Sequence, residues 1–225
     1  MKLDRWRPLR PPSTLYCTAG TVNRVAKADD TRARILEVSQ RLVLQQGFAG
    51  TSIDQIVAEC ELTKGGFFYH FRGKADLARA LMQAYLEADD AFFRGLRERA
   101  DELVEDPVQR LLLFLKLLAE AMGDLPGVHP GCLVASMTYE SQLVDPEVRD
   151  MAAAGLAGWR RRFLELFEAA AEVRPPREEV DLGALADLLN GVLEGGIVTS
   201  RTMNDPTLLV SQILELRRYV KLLFA

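Results

Sequence analysis

Residues 51–71 read TSIDQIVAECELTKGGFFYHF, and this stretch limits the possible folds most tightly. Ile53, Ile56, Val57 and Cys60 recur at i, i+3, i+4 and i+7, the spacing of one face of a helix of about two turns. Thr51 with Asp54, or Ser52 with Gln55, is placed to cap its start. A short turn follows, and Thr63 is placed to cap a second short helix. Phe67 and Phe71 lie one turn apart on that helix and give it a single anchoring side. Helices this short bury little surface alone, so they need a third partner. DDTRARILEVSQRLVLQQG, just upstream, supplies one, with Ile35, Val38, Leu42 and Leu44 on its apolar side. Asp29, Asp30 or Thr31 can cap its start, and Gly47 can stop it.

Short helix, turn, short helix is the helix-turn-helix pattern, whose second helix enters the DNA major groove. The residues at the second N-terminus suit that role. Thr63, Lys64, Gly65 and Gly66 present bare backbone N–H groups beside one positive charge. The two glycines let that backbone come close to a phosphate or a base edge. Tyr69 and His70 are expected to project toward the DNA backbone, and Lys74 to reach a phosphate from the start of the next helix.

The net charge of −4 excludes a uniformly basic nucleic-acid binder but allows a local basic patch on an acidic body. The three cysteines, Cys17, Cys60 and Cys132, are far apart and form no CxxC, and the only histidines are His70 and His129. These counts argue against a disulfide framework and a metal centre, and no cofactor is expected. No uninterrupted apolar run reaches membrane-spanning length, and the N-terminus lacks a continuous apolar signal region, so a cytoplasmic location without membrane contact is expected.

Residues 1–29 read as a flexible basic tail, with Pro8, Pro11 and Pro12 opposing helix. The tail is either a leader without a role or an arm that follows DNA phosphates. From residue 30 the helical period persists to the end, with no period-two alternation and no repeat. The spacing predicts an all-α chain of about nine helices. A three-helix DNA-binding domain is expected over 30–76 and a larger helical domain over 77–225.

Residues 31–77, TRARILEVSQRLVLQQGFAGTSIDQIVAECELTKGGFFYHFRGKADL, resemble the N-terminal domain of the TetR/AcrR family of bacterial transcriptional regulators. The elements appear in order: Gly47 and Phe48, the capped TSIDQIVAE, then TKG, FFYHF and Lys74. The resemblance implies that Thr51 and Ser52 contact phosphates, that Thr63, Lys64, Gly65 and Gly66 face the groove, that Tyr69 and His70 meet backbone or base edges, and that Lys74 holds a phosphate. Three positions depart from the pattern. Glu61 stands where glycine is common, which implies strain if the turn needs a positive φ. Phe68 replaces a tyrosine, and Gly66 replaces a side chain that often reads bases. Direct readout is therefore expected to be thin, with more reliance on DNA shape.

The resemblance also implies a homodimer through the last two helices, a palindromic double-stranded DNA operator and a small-molecule effector of unknown identity, with no catalysis. Gly191, Gly195 and Gly196 are small enough for close helix contact at such an interface. Candidate lining residues for the effector pocket are Phe92, Phe93, Met122, Cys132, Met137, Tyr139, Glu140, Trp159 and Phe163. Cys132 follows HPG at a helix start, where N–H groups favour a thiolate, and it is either a reactive sensor or a buried structural cysteine. The reading is a repressor released by ligand; the alternatives are an activator or architectural DNA-binding protein, and, less well supported, an enzyme.

Overall fold

The computed structural model describes residues 24–224, and among them it holds nine α-helices, one 3₁₀ turn and no strand. The all-α expectation is met. Most of the expected tail, including Cys17, lies outside the described residues. Helix α1 (Arg24–Gly50) begins earlier than the sequence suggested, so Asp29, Asp30 and Thr31 lie within it and do not cap its start. Gly47, at φ 81° and ψ 164°, breaks its path near the end as expected.

Helices α2 (Ile53–Glu59) and α3 (Lys64–His70) follow, each one to two turns long. Of the two capping options for α2, the fold uses Ser52, whose hydroxyl accepts from Gln55 N–H at 3.1 Å. Thr63 caps α3 in the same way, accepting from Gly66 N–H at 3.1 Å. The turn between them passes through Glu61 at φ 52°, so the non-glycine residue does take the left-handed conformation.

The larger body comprises α4 (Lys74–Leu103), α5 (Pro107–Gly123), α6 (Leu133–Tyr139), α7 (Pro146–Val173), α8 (Leu182–Met203) and α9 (Thr207–Leu223). Asp106 and Asp181 cap α5 and α8, and Asn204 ends α8 in the left-handed conformation. Helix α8 is long and apolar enough, by length and composition alone, to cross a membrane, which the sequence reading did not anticipate. It packs along α7 and α9, and its Asp187 pairs with Arg160 of α7 at 2.7 Å.

Two hydrophobic clusters divide the molecule. One joins α1, α2 and α3 to the first turns of α4, to α6 and to the start of α7. The other fills the bundle of α5, α7, α8, α9 and the second half of α4. Helix α6 therefore packs with the small N-terminal helices. Its Leu133 and Met137 share a core with Ile35, Phe67 and Leu81.

Candidate nucleic-acid interface and effector cavity

The outer face of α2 and α3 is built from capped helix starts. Ser52, Thr63, Lys64 and Gly65 are exposed, Tyr69 is 78 % exposed, and Gly66, His70 and Lys74 are half-buried. Phe67 and Phe71 are fully buried beneath them, with ring centroids 5.7 Å apart. Lys64 pairs with Asp54 at 2.7 Å, but both side chains are exposed, so the pair contributes little energy. Thr51 is a correction. It is 1 % exposed and donates its hydroxyl to the Gly47 carbonyl at 2.8 Å, so its side chain fixes the α1–α2 corner and does not reach outward.

Lys74 sits over the Phe48 ring at 4.4 Å and donates to the Ala49 carbonyl at 3.3 Å. Partial burial lowers its pKa, and Glu140 opposes that shift. The ammonium thus ties the start of α4 to the same corner that Thr51 closes.

The corner is also gripped from the larger body. Glu140, just after α6, accepts hydrogen bonds from Phe48 N–H at 2.9 Å and Ala49 N–H at 2.6 Å. The carboxylate reaches them because residue 47 is glycine: a Cβ there would lie 2.5 Å from Glu140 Oε1. Arg201, near the end of α8, donates to the Leu44 carbonyl at 2.9 Å and also to the Pro130 carbonyl. A cation on terminal carbonyls and an anion on free N–H groups both suit a helix end. Helices α2 and α3 therefore hang from a joint whose polar groups are set by α6 and α8.

A cavity of about 450 Å³ lies on the other side of α6, between α4, α5, α7 and α8. That is within the usual range for a small-molecule site. Phe92, Phe93, Met122, Cys132, Tyr139 and Trp159 line it, as expected from the sequence. Three other candidates do not. Phe163 is fully buried beneath Phe93, with centroids 5.3 Å apart. Met137 turns into the core shared with α1. Glu140 points to the corner described above.

Cys132 caps α6, its sulfur accepting from Ala135 N–H at 3.4 Å. Burial outweighs that hydrogen bond and pushes the thiol up to about 12. The helix start therefore does not make a thiolate here, contrary to the sequence argument. A thiolate is the nucleophile, and this burial disfavours it.

Residues 35–81 match the model for bacterial regulatory proteins of the tetR family, and residues 107–213 match the tetracyclin repressor-like C-terminal domain. The chain belongs to the TetR family. It is similar to the transcriptional regulator AcuR of Cereibacter sphaeroides, with 30 % identity over 159 residues, covering 70 % of each chain. It is also similar to the transcriptional repressor DhaR of a Mycobacterium species, with 24 % identity over 171 residues, covering 74 % of this chain and 80 % of the relative. A TetR transcriptional regulator from Chloroflexus aurantiacus has the same fold, with a TM-score of 0.71 and 27 % identity, covering 87 % of this chain and 96 % of that one. The protein is thus a TetR-family transcriptional regulator with a DNA-binding helix-turn-helix, and not an enzyme.

Within this TetR-family frame, sequence reasoning missed the cavity's polar groups. Tyr85, Asp89, His129, Asn190 and Glu194 all line it. One signal was available: Asp89 lies four residues after Tyr85, on the inward stripe of α4 that Phe92 and Leu96 continue. An acidic residue on an apolar stripe marks either a buried pair or a ligand site.

Proposed function

We propose that this chain is a homodimeric repressor that occupies an imperfect palindromic operator and leaves it when a small molecule enters the cavity. The observation that carries the reading is the position of α6. Its first turns wall the cavity through Cys132, Val134 and Ala135, and the residue after its last turn, Glu140, holds the N–H groups of the corner before α2. A ligand that favours a shifted α6 would favour misplaced recognition helices, which is the differential affinity that release requires.

The exposed apolar residues of α8 and α9 support dimerisation. Leu188, Val198 and Met203 on α8, and Leu214, Tyr219 and Leu222 on α9, are all more than two-fifths exposed. Gly191 and Gly195 have open space where a side chain would stand, which permits close helix approach by a second copy. Gly196 has a different role, because a Cβ there would collide with Leu209 of α9 in the same chain.

In this reading Ser52, Thr63, Lys64, Gly65, Gly66, Tyr69, His70 and Lys74 form the DNA face, residues 30–76 carry it, and the protein works in the cytoplasm. The relative named as a repressor supports repression over activation. The test is a reporter driven by the protein's own operator. Expression should rise when the gene is deleted; a fall would make the protein an activator.

A further inference from the structure

The walls of the cavity carry charge of one sign. Asp89 on α4 and Glu194 on α8 line it, and no lysine or arginine does. Among the described residues neither carboxylate has an ion-pair partner. Arg162 is the cation felt at Asp89, but its guanidinium is paired with Asp90. His129, the remaining titratable base on the wall, is held neutral: burial, and then the charge of Arg201, lower its pKa to about 4. Tyr85 lies beside Asp89 and favours its charged form, and the thiol of Cys132 lies against both Tyr85 and Glu194. Both acids are half-buried, and these neutral neighbours soften that burial.

The rest of the wall is aromatic. Phe92 and Phe93 meet edge to face at 5.3 Å, and Phe93 meets Trp159 at 6.5 Å. Tyr139, at 81 % exposure, and Leu156, at 47 %, stand where the cavity reaches the surface. Ring faces attract a cation, more strongly when water is excluded. Half-buried carboxylates without an ion pair do the same, because a counter-charge offsets the cost of their desolvation.

We propose that the ligand of this cavity is an organic cation, a protonated or quaternary amine on an apolar body, with its charge between Asp89 and Glu194 and its body against Phe92, Phe93 and Trp159. The proposal rests on reading the cavity as the effector site and names the class of effector. An anion such as a carboxylate or phosphate ester would meet two like charges with no base to receive it. A neutral ligand would leave the acids without a partner.

The groups that act on Asp89 are Tyr85 on its own helix and Arg162 on α7, while Glu194 on α8 and His129 from the α5–α6 loop line the same cavity. Burial raises the Asp89 carboxyl to about 7. A cation needs the ionised form, so its affinity should fall by up to about ten-fold per pH unit below that value.

Three probes with one body test the class: phenylbutyltrimethylammonium, its uncharged analogue with carbon in place of nitrogen, and phenylbutanesulfonate. Binding to the full chain is followed by calorimetry, and operator release by fluorescence anisotropy. The cation should bind at least ten-fold more tightly than the uncharged analogue, and the sulfonate should bind most weakly. Asp89→Asn with Glu194→Gln should abolish that order while leaving operator affinity and the circular dichroism spectrum unchanged. The proposal is overturned if the uncharged probe or the sulfonate binds as well as the cation, if none of the three binds, or if the order survives the double substitution. Tight cation binding without any change in operator affinity would instead uphold the ligand class and remove the regulatory reading beneath it.

Discussion

Glu140 holds the N–H groups of Phe48 and Ala49 at 2.9 and 2.6 Å, joining the end of α6 to the corner that leads into the recognition helices. Both donors would otherwise be free N–H groups at a break in α1. Hydrogen bonds to a charged acceptor contribute about 1.5–3 kcal/mol each, less where water competes. Glu140→Ala should therefore lower stability by about 1–3 kcal/mol, weaken operator binding and blunt release by ligand. Glu140→Gln, with one acceptor oxygen, should fall between. Chemical denaturation and anisotropy titrations check this, and an alanine variant with full ligand response would separate α6 from the switching mechanism.

Gly65 and Gly66 separate folding from binding. A Cβ at either position would make only ordinary contacts with Thr63 or Leu62. Alanine should thus stabilise α3 by about 0.5–1 kcal/mol. The same methyl would stand on the face that DNA approaches. Operator affinity should fall by at least ten-fold while the melting temperature rises. Unchanged affinity would mean that the α3 backbone does not lie close to DNA.

Glu61 sits at φ 52° in the turn between α2 and α3. A non-glycine residue there costs about 1–2 kcal/mol, which glycine would relieve at some loss of unfolded-state entropy. Its ion pair with Arg34, at 3.9 Å and well exposed, contributes little. Glu61→Gly should leave operator affinity intact and raise stability by up to about 1 kcal/mol. A drop in stability would show that the carboxylate matters more than the backbone.

Asp89 gives a pH signature of its own. Its carboxyl stands at about 7 in the fold, against an ordinary value of 3.8. Between those values the folded chain holds a proton that the unfolded chain has released. Stability therefore falls as pH rises from 4 to 7 and is level above. Asp89→Asn lacks this penalty. Relative to wild type it should gain about 2–4 kcal/mol at pH 8 compared with its effect at pH 4. A pH-independent difference between the two proteins would contradict the desolvation of the carboxylate.

Local chemistry made much of this molecule legible in its sequence. The Ser52 and Thr63 caps, the Gly47 break and the strained Glu61 turn are each set by residues within a few positions of one another, and such signals survive in one dimension. Thr51 was expected to face phosphate by resemblance to the family, yet the α1–α2 corner folds it inward onto Gly47. The α6–α1 joint was not legible, because Glu140 and Phe48 are far apart in sequence and a lone glutamate after a short helix carries no mark of its partner. Cys132 shows two local rules in competition. A helix start favours the thiolate and burial opposes it, and only the depth at which α6 sits decides between them. The cavity was half legible: its aromatic wall follows helical spacing, but Glu194 joins it only because α8 packs beside α7.

The central claim, a dimer reading a two-fold operator through the Thr63–Gly66 helix start, is tested most directly by selecting bound sites from a random duplex library with the full chain. One inverted repeat is expected, its half-sites centred about 34–36 Å apart or a multiple of that spacing. Individual base positions should contribute modestly, and the selection should be lost with Gly66→Leu. Enrichment of single half-sites, or of no sequence at all, would contradict it.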